Sequence, residues 1–227
     1  ALLNSTIYVI CVVPFMVILP LILAYLVKGN SRIMGFFRTA FYMPVVMSAV
    51  VVGMIWTNLL DSAGLVNSVL KALKIISKPI PFLTDRWGVL FSSMFVTIWL
   101  GLGYYMVIYL TALANIDESL YEAASLDGAG PVRQFIYVTM PGVRSTMMLI
   151  MMLSTIAAFR VFNEIYVLTN GSAGPGGMDM TMSMLIKREG TGIQARTGYA
   201  SAISIVVLVI VGVMLIVQQI LQKRGED

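Results

Sequence analysis

The sequence predicts an all-α membrane protein that crosses the bilayer five times. Three observations carry that expectation. Of 227 residues, 59% are hydrophobic and 11% charged, against about 25% charged in soluble domains, so few charges remain to cover a water-facing surface. Apolar runs long enough to cross ~30 Å of hydrocarbon, which takes about 20 helical residues, recur five times. None of them shows the alternation, about ten residues long, that marks a barrel strand.

The first run, residues 5–27, carries no charge and no basic segment precedes it. It is too long for the apolar core of a cleaved signal peptide and reads as a span, with Pro14 and Pro20 predicted to bend it. Residues 28–38 form a short basic connection, and residues 39–60 form the second run, which Pro44 is expected to kink or end. Residues 61–86 hold turn signals, Asp61-Ser62-Ala63-Gly64 and Lys78-Pro79-Ile80-Pro81, around a short helix at 66–76. A third charge-free run covers 87–116; a fourth, 145–168, is interrupted by Arg160, Asn163 and Glu164; the fifth covers 197–222. The spans proper are set at 5–27, 39–60, 87–112, 145–168 and 199–221, in one domain over 1–227.

Composition excludes several functions. Cys11 is the only cysteine and histidine is absent, so there is no internal disulfide, no His/Cys metal site and no imidazole base. Net charge is +4, but the basic residues are dispersed between apolar runs, which argues against nucleic acid. Five spans put the two ends of the chain on opposite sides of the membrane. The lysines and arginines flanking the spans divide evenly between the sides, so the positive-inside rule does not orient the chain.

The connection over residues 117–144 is the most patterned. It reads Tyr121-Glu122-Ala123-Ala124-Ser125-Leu126-Asp127-Gly128-Ala129-Gly130-Pro131 and continues through Val138-Thr139-Met140-Pro141. The pattern predicts two short helices and a tight turn. Asp117 or Ser119 is placed to cap the first helix, Asp127-Gly128 to stop it, and Pro131 to open the second.

This segment resembles the EAA loop of ABC importer permeases: Glu122-Ala123-Ala124, then Gly128, then Pro141 at the family's spacing, with Val138 and Met140 where the family has isoleucine and leucine. Asp127-Gly128-Ala129 and Phe135 are similar to the carbohydrate-uptake branch, of maltose type. Phe36-Phe37-Arg38-Thr39, Met43-Pro44, Trp99-Leu100-Gly101, Leu168-Thr169-Asn170-Gly171 and Gly198-Tyr199-Ala200-Ser201-Ala202 match in the expected order. Two departures stand out. The family's core has six spans, so the first of six is expected to be missing here, and Asn170-Gly171-Ser172-Ala173-Gly174-Pro175 replaces a tighter Gly-Gly-Pro loop.

The resemblance implies a type I importer permease in a bacterial or archaeal cytoplasmic membrane. Its coupling loop, residues 117–141, would dock on a cytosolic ATPase through Glu122, Ala123, Ala124, Asp127, Gly128, Ala129 and Pro141. That puts residues 117–144 and Asp227 inside, and Ala1 and residues 169–196 outside. The implied partners are a second permease subunit, two ATPase copies, an extracellular solute-binding protein, a carbohydrate and lipid. No cofactor is expected in this chain. It has no G-x-x-x-x-G-K-[ST] phosphate loop, so ATP and Mg²⁺ would sit on the partner and the chain is not itself an enzyme.

For the cargo the resemblance points to Thr97, Leu100, Gly101 and Tyr104 in the third span and to Ser154, Ala158 and Val161 in the fourth, with Glu164 a turn beyond. Two readings stay open at each span. Gly101 and Tyr104 serve a sugar cavity, or Gly101 and Gly103 serve helix packing with Tyr104 an interfacial anchor. Arg160 and Glu164 form an i,i+4 pair turned from lipid with Glu164 on the cargo face, or they mark a helix end near the outer surface or an ion pair packed on the second permease. For the whole chain, the alternatives are a permease of the same type for a non-sugar solute and an ATP-independent transporter.

Overall fold

The structure is a computed structural model that describes residues 1–193 and 195–224; Asp227, assigned to the inside, lies outside them. Every regular element among the described residues is helical, and five segments are long and apolar enough to cross a membrane: Leu2–Leu26, Ala49–Ala72, Arg86–Leu113, Arg144–Leu168 and Thr197–Gln222.

Helix α1, Leu2–Leu26, is the axis of the bundle and stays helical through Pro14 and Pro20. Tyr8, Val12, Met16, Leu21 and Ala24 are buried along it, two helical turns or fewer apart, so most of its length faces other helices. It lies between α5, Arg86–Leu113, and α9, Arg144–Phe159. Two tyrosines fasten it to α5: the Tyr8 hydroxyl lies 2.6 Å from Thr97 Oγ1, and Tyr109 Oη donates to the Val17 carbonyl at 2.9 Å. Such bonds satisfy polar groups that hydrocarbon would leave without a partner.

The second expected span is broken. Helix α2, Arg32–Tyr42, is capped by the Ser31 side chain, which accepts from Met34 N. A 3-10 turn over Met43–Val46 follows, with Pro44 at its start, and an extended Met47 leads to α3, Ala49–Leu60. A second break separates α3 from the short α4, Leu65–Ala72. Pro44 lacks an N–H and its ring crowds the preceding turn, which accounts for the first break.

The fourth span is broken too: α9 ends at Phe159, and α10, Asn163–Leu168, starts after Phe162 adopts φ −143°, ψ −58°. This corrects the i,i+4 pairing of Arg160 with Glu164. The two residues do not share a helix, and no ion pair joins them among the described residues. Helix α10 packs on α3, with Val52, Val96 and Leu168 buried together.

After a glycine-rich loop come α11, Met182–Gly190, and α12, Thr197–Arg224, which pack on each other. Glu189 reaches across their junction to Arg196 and also pairs with its α11 neighbour Arg188 at 3.2 Å. The loop is fastened over the start of α1. Asn4 Nδ2 donates to the carbonyls of Met178 (2.6 Å) and Met180 (2.9 Å), and Ser5 Oγ accepts from Met182 N at 3.0 Å.

Candidate functional site

The connection between α5 and α9 builds its surface from local rules. Helix α6, Glu118–Leu126, begins at Asp117, whose side chain accepts from Ser119 N at 2.9 Å. The hydrogen bonds from Ser119 hold the Asp117 carboxyl below the usual carboxylate range. The helix stops at Asp127, Gly128 adopts φ +75°, and Ala129 N returns to the Ala124 carbonyl at 2.9 Å. This is a left-handed C-terminal cap, the backbone state that glycine tolerates at low cost. A Cβ at Gly128 would meet nothing within 4 Å, so the requirement there is conformational and not steric.

Pro131 opens α7, Pro131–Gln134, which runs through a π-helical turn, Phe135–Thr139, into α8, Met140–Gly142. Gln134 Nε2 ties this arm to α6, donating to Ser125 Oγ (2.8 Å) and the Ala129 carbonyl (3.1 Å). The loop is therefore a rigid helical hairpin. Glu122, Ala123, Asp127, Gly128 and Pro141 are exposed on it, and Ala124 and Ala129 are half-buried. Between them stand apolar residues the motif did not single out: Leu126 is 90% exposed, Tyr137 74% and Val132 71%. These residues leave apolar surface open beside the loop's charges, available to a protein or to the membrane.

Behind the hairpin a cleft of about 810 Å³ opens between α6, the end of α5 and the 28–38 connection, with Lys28, Arg38, Glu118, Tyr121 and Glu122 on its walls. Lys28 was counted only as a flanking charge in the sequence. Its ammonium lies 4.2 Å from the centroid of the Tyr121 ring and 4.6 Å from that of Tyr25. A basic residue just past a span, with tyrosines before it and in a distant loop, is a signal visible only once the fold joins them.

The candidate cargo residues divide into two groups. Thr97, Ser154, Ala158 and Val161 are buried inside the chain. Thr97 is bonded to Tyr8, and Ser154 Oγ donates to the Met151 carbonyl at 3.1 Å. Leu100, Gly101 and Glu164 are half-buried, and Tyr104 is 46% exposed with its ring edge-on to Tyr105. A Cβ at Gly101 would come within 2.7 Å of Met16 Cε, so this glycine packs against α1. Glu164 sits in the first turn of α10, where the helix N-terminus favours an acid. It lines a void of about 10 Å³ with Leu100, Val52 and Gly53, barely the room one water needs. Leu100 and Glu164 are thus brought together; Tyr104 does not line that void.

Two of the three helix breaks, at residues 43–48 and 160–162, fall within apolar segments. Non-helical backbone at membrane depth is tolerated where protein buries it or where it lines a wet cavity. Arg160, in the break after α9, is exposed, whereas Val161 is buried.

A family model described as "Binding-protein-dependent transport system inner membrane component" matches residues 1–226. The chain is 33% identical over 219 residues to the lactose transport system permease protein LacF of Rhizobium radiobacter, covering 96% of this chain and 74% of the relative. It is 31% identical over 235 residues to the arabinooligosaccharides transport system permease protein AraP of Halalkalibacterium halodurans, covering 100% and 72%. Among solved structures, a chain of a bacterial ABC transporter involved in the import of the acidic polysaccharide alginate superposes with a TM-score of 0.80 at 22% identity, covering 99% of this chain and 78% of that one. That likeness establishes the fold.

Proposed function

The chain belongs to the family of binding-protein-dependent transport system inner membrane components, and we propose that it forms half of the pathway by which an ATP-driven importer takes up a sugar or oligosaccharide. The observation that carries this is the hairpin at α6. It is capped at both ends, braced by Gln134, and leaves Glu122, Asp127, Leu126 and Val132 exposed. That surface suits a groove on a cytosolic ATPase. Glu122 would offer a carboxylate to a basic residue there, and Ala123 and Gly128 would permit close approach. ATP and Mg²⁺ are bound by that partner; this chain turns the partner's motion into alternating access.

Sugar as cargo is supported by the names of relatives similar over most of this chain, which include lactose and arabinooligosaccharide permeases. The void between α3, α5 and α10 is too small for a sugar in the isolated chain. In this reading the cargo passes between this subunit and a second, homologous permease, with Leu100, Gly101, Tyr104 and Glu164 nearest the opening. Thr97, Ser154, Ala158 and Val161 reach cargo only when α1 moves aside. An extracellular solute-binding protein delivers the sugar, and residues 117–144 face the cytoplasm.

The reading is tested by purifying the chain with its neighbours and measuring uptake into proteoliposomes loaded with ATP, using a panel of di- and oligosaccharides. Copurification of an ATPase and a second permease, with ATP-dependent sugar uptake, is the expected result. Gly128→Val is expected to leave the subunit inserted and abolish uptake, because valine resists φ +75°. Uptake without the ATPase, or normal uptake by Gly128→Val, would overturn the assignment.

A further inference from the structure

We infer that α1 is the rod that carries displacement of the α6 hairpin to the outer loop, with Lys28 as the positioning residue at its inner end. The inference rests on the reading of α6 as the ATPase-coupling helix. At that end α1 has no covalent connection to the hairpin. The Lys28 ammonium stands between the Tyr25 ring, on the last turn of α1, and the Tyr121 ring of α6. A cation held by two ring faces is attracted to both. Tyr25 also meets Phe135 of the π-helical turn edge-on, with ring centroids 5.1 Å apart.

Each ring is itself fixed. The Tyr121 hydroxyl lies 2.9 Å from Oγ1 of the fully buried Thr139. The backbone carrying Lys28 is clamped by Arg38, which donates to the Val27 carbonyl at 2.9 and 2.7 Å and to the Gly29 carbonyl at 2.7 Å. Lys28 therefore joins two immobilised platforms instead of hanging from a free loop.

The outer end of α1 is fastened as firmly. Asn4 holds the Met178 and Met180 carbonyls and Ser5 holds Met182 N. In the same loop Thr181 Oγ1 donates to the Val161 carbonyl at 3.1 Å, at the break between α9 and α10. Among the described residues the loop's polar link to α5 is only the Arg86 charge near Asp179, whereas three hydrogen bonds tie its end and the start of α11 to α1. Between its ends α1 is one unbroken helix of 25 residues, about 37 Å long at 1.5 Å per residue. A shift of the hairpin thus reaches the outer loop and the α9–α10 break through one rigid element.

The test uses the complete importer, with its ATPase and second permease, in lipid nanodiscs. Ser172→Cys, on the exposed part of the outer loop, is introduced in a Cys11→Ser background, and its maleimide labelling rate is read with and without ATP plus vanadate. Nucleotide is expected to change that rate severalfold. Lys28→Met and, at the far end, Asn4→Leu are expected to remove the change while ATP hydrolysis persists. Lys28→Arg, which keeps a cation over both rings, is expected to restore it. A full nucleotide response in Lys28→Met, or none in the unsubstituted chain, would overturn the inference. Gly128→Val separates the two readings. If it too keeps the response, the coupling-helix assignment has failed, whereas if only Lys28→Met keeps it, the rod alone has failed.

Discussion

Helices α1 and α12 are both long, almost wholly apolar membrane segments, yet half of the most apolar stretch of α1 is buried within the chain and only 11% of that of α12. Hydropathy registers the bilayer and is blind to the neighbour. Both carry polar residues bonded to other segments, Gln218 of α12 reaching Thr155 of α9 at 2.8 Å, but those of α1 lie on its buried face. Asn4, Ser5 and Tyr8 of α1 are all buried and bonded to other segments. Leu208, Val209, Ile216 and Val217 of α12 stand open, a surface suited to lipid or to a second subunit. A span's place in the bundle therefore follows the face on which its polar minority falls.

The contrast is sharpest at a buried aromatic. Tyr8→Ala removes a side chain with no exposed surface and its bond to Thr97, and is expected to cost ~3–5 kcal/mol. Val209→Ala on the open face of α12 is expected to stay within about 0.5 kcal/mol of the unsubstituted chain. Denaturant unfolding in detergent reads both, and equal losses would erase the distinction between the helices. Glycines give a second comparison. A Cβ at Gly103 of α5 would lie 2.2 Å from the Phe41 carbonyl oxygen, while one at Gly212 of α12 meets nothing within 4 Å. Gly103→Ala is expected to cost ~1–3 kcal/mol through forced backbone shifts, and Gly212→Ala to be neutral or to stabilise by up to about 1 kcal/mol.

A smaller effect is expected in the loop that covers the N-terminal end of α1. Asp179 is fully buried there and both carboxylate oxygens lack a hydrogen-bond partner. Burial pushes its pKa up to about 6, with Arg86 opposing and Asp85 reinforcing the shift. Because the folded value exceeds the unfolded one, protonation favours the closed loop. That stabilisation is complete below the ordinary carboxylate pKa of about 4 and is lost as pH rises through about 6. Labelling of Ser172→Cys is taken relative to a freely exposed cysteine at the same pH, because the thiolate fraction itself rises with pH. That ratio is expected to rise over the window, and Asp179→Asn to flatten it. An unchanged profile in Asp179→Asn would assign the dependence to another group.

The spans and the hairpin were legible because the rules that form them are local. Apolar length sets a span, and Asp117, Gly128 and Pro131 set caps and turns within a few residues. The break at Pro44 was half-legible, since proline marks a place without saying whether the helix bends or stops. The break after Phe159 was half-legible as well, since a helix end at Arg160 and Glu164 was one of the readings left open. Arg160 and Glu164 have the spacing of a helical pair, and tertiary packing of α10 on α3 overrode it. The expected cargo residues show the same limit. Thr97 and Ser154 are polar residues on apolar helices, and whether each faces a cavity or a neighbour depends on how α1 sits between α5 and α9. Lys28 was legible only as a charge, because its two rings come from segments far apart in the sequence.

The most direct test of the account asks which side of the membrane the α6 hairpin occupies. Ser125→Cys and Ser172→Cys, each in a Cys11→Ser background in intact cells, are exposed to an impermeant thiol reagent added outside. The account predicts labelling at position 172, and labelling at position 125 only after the membrane is permeabilised. Labelling at 125 but not at 172 in intact cells would put the hairpin outside, away from any cytosolic ATPase, and contradict the coupling assignment.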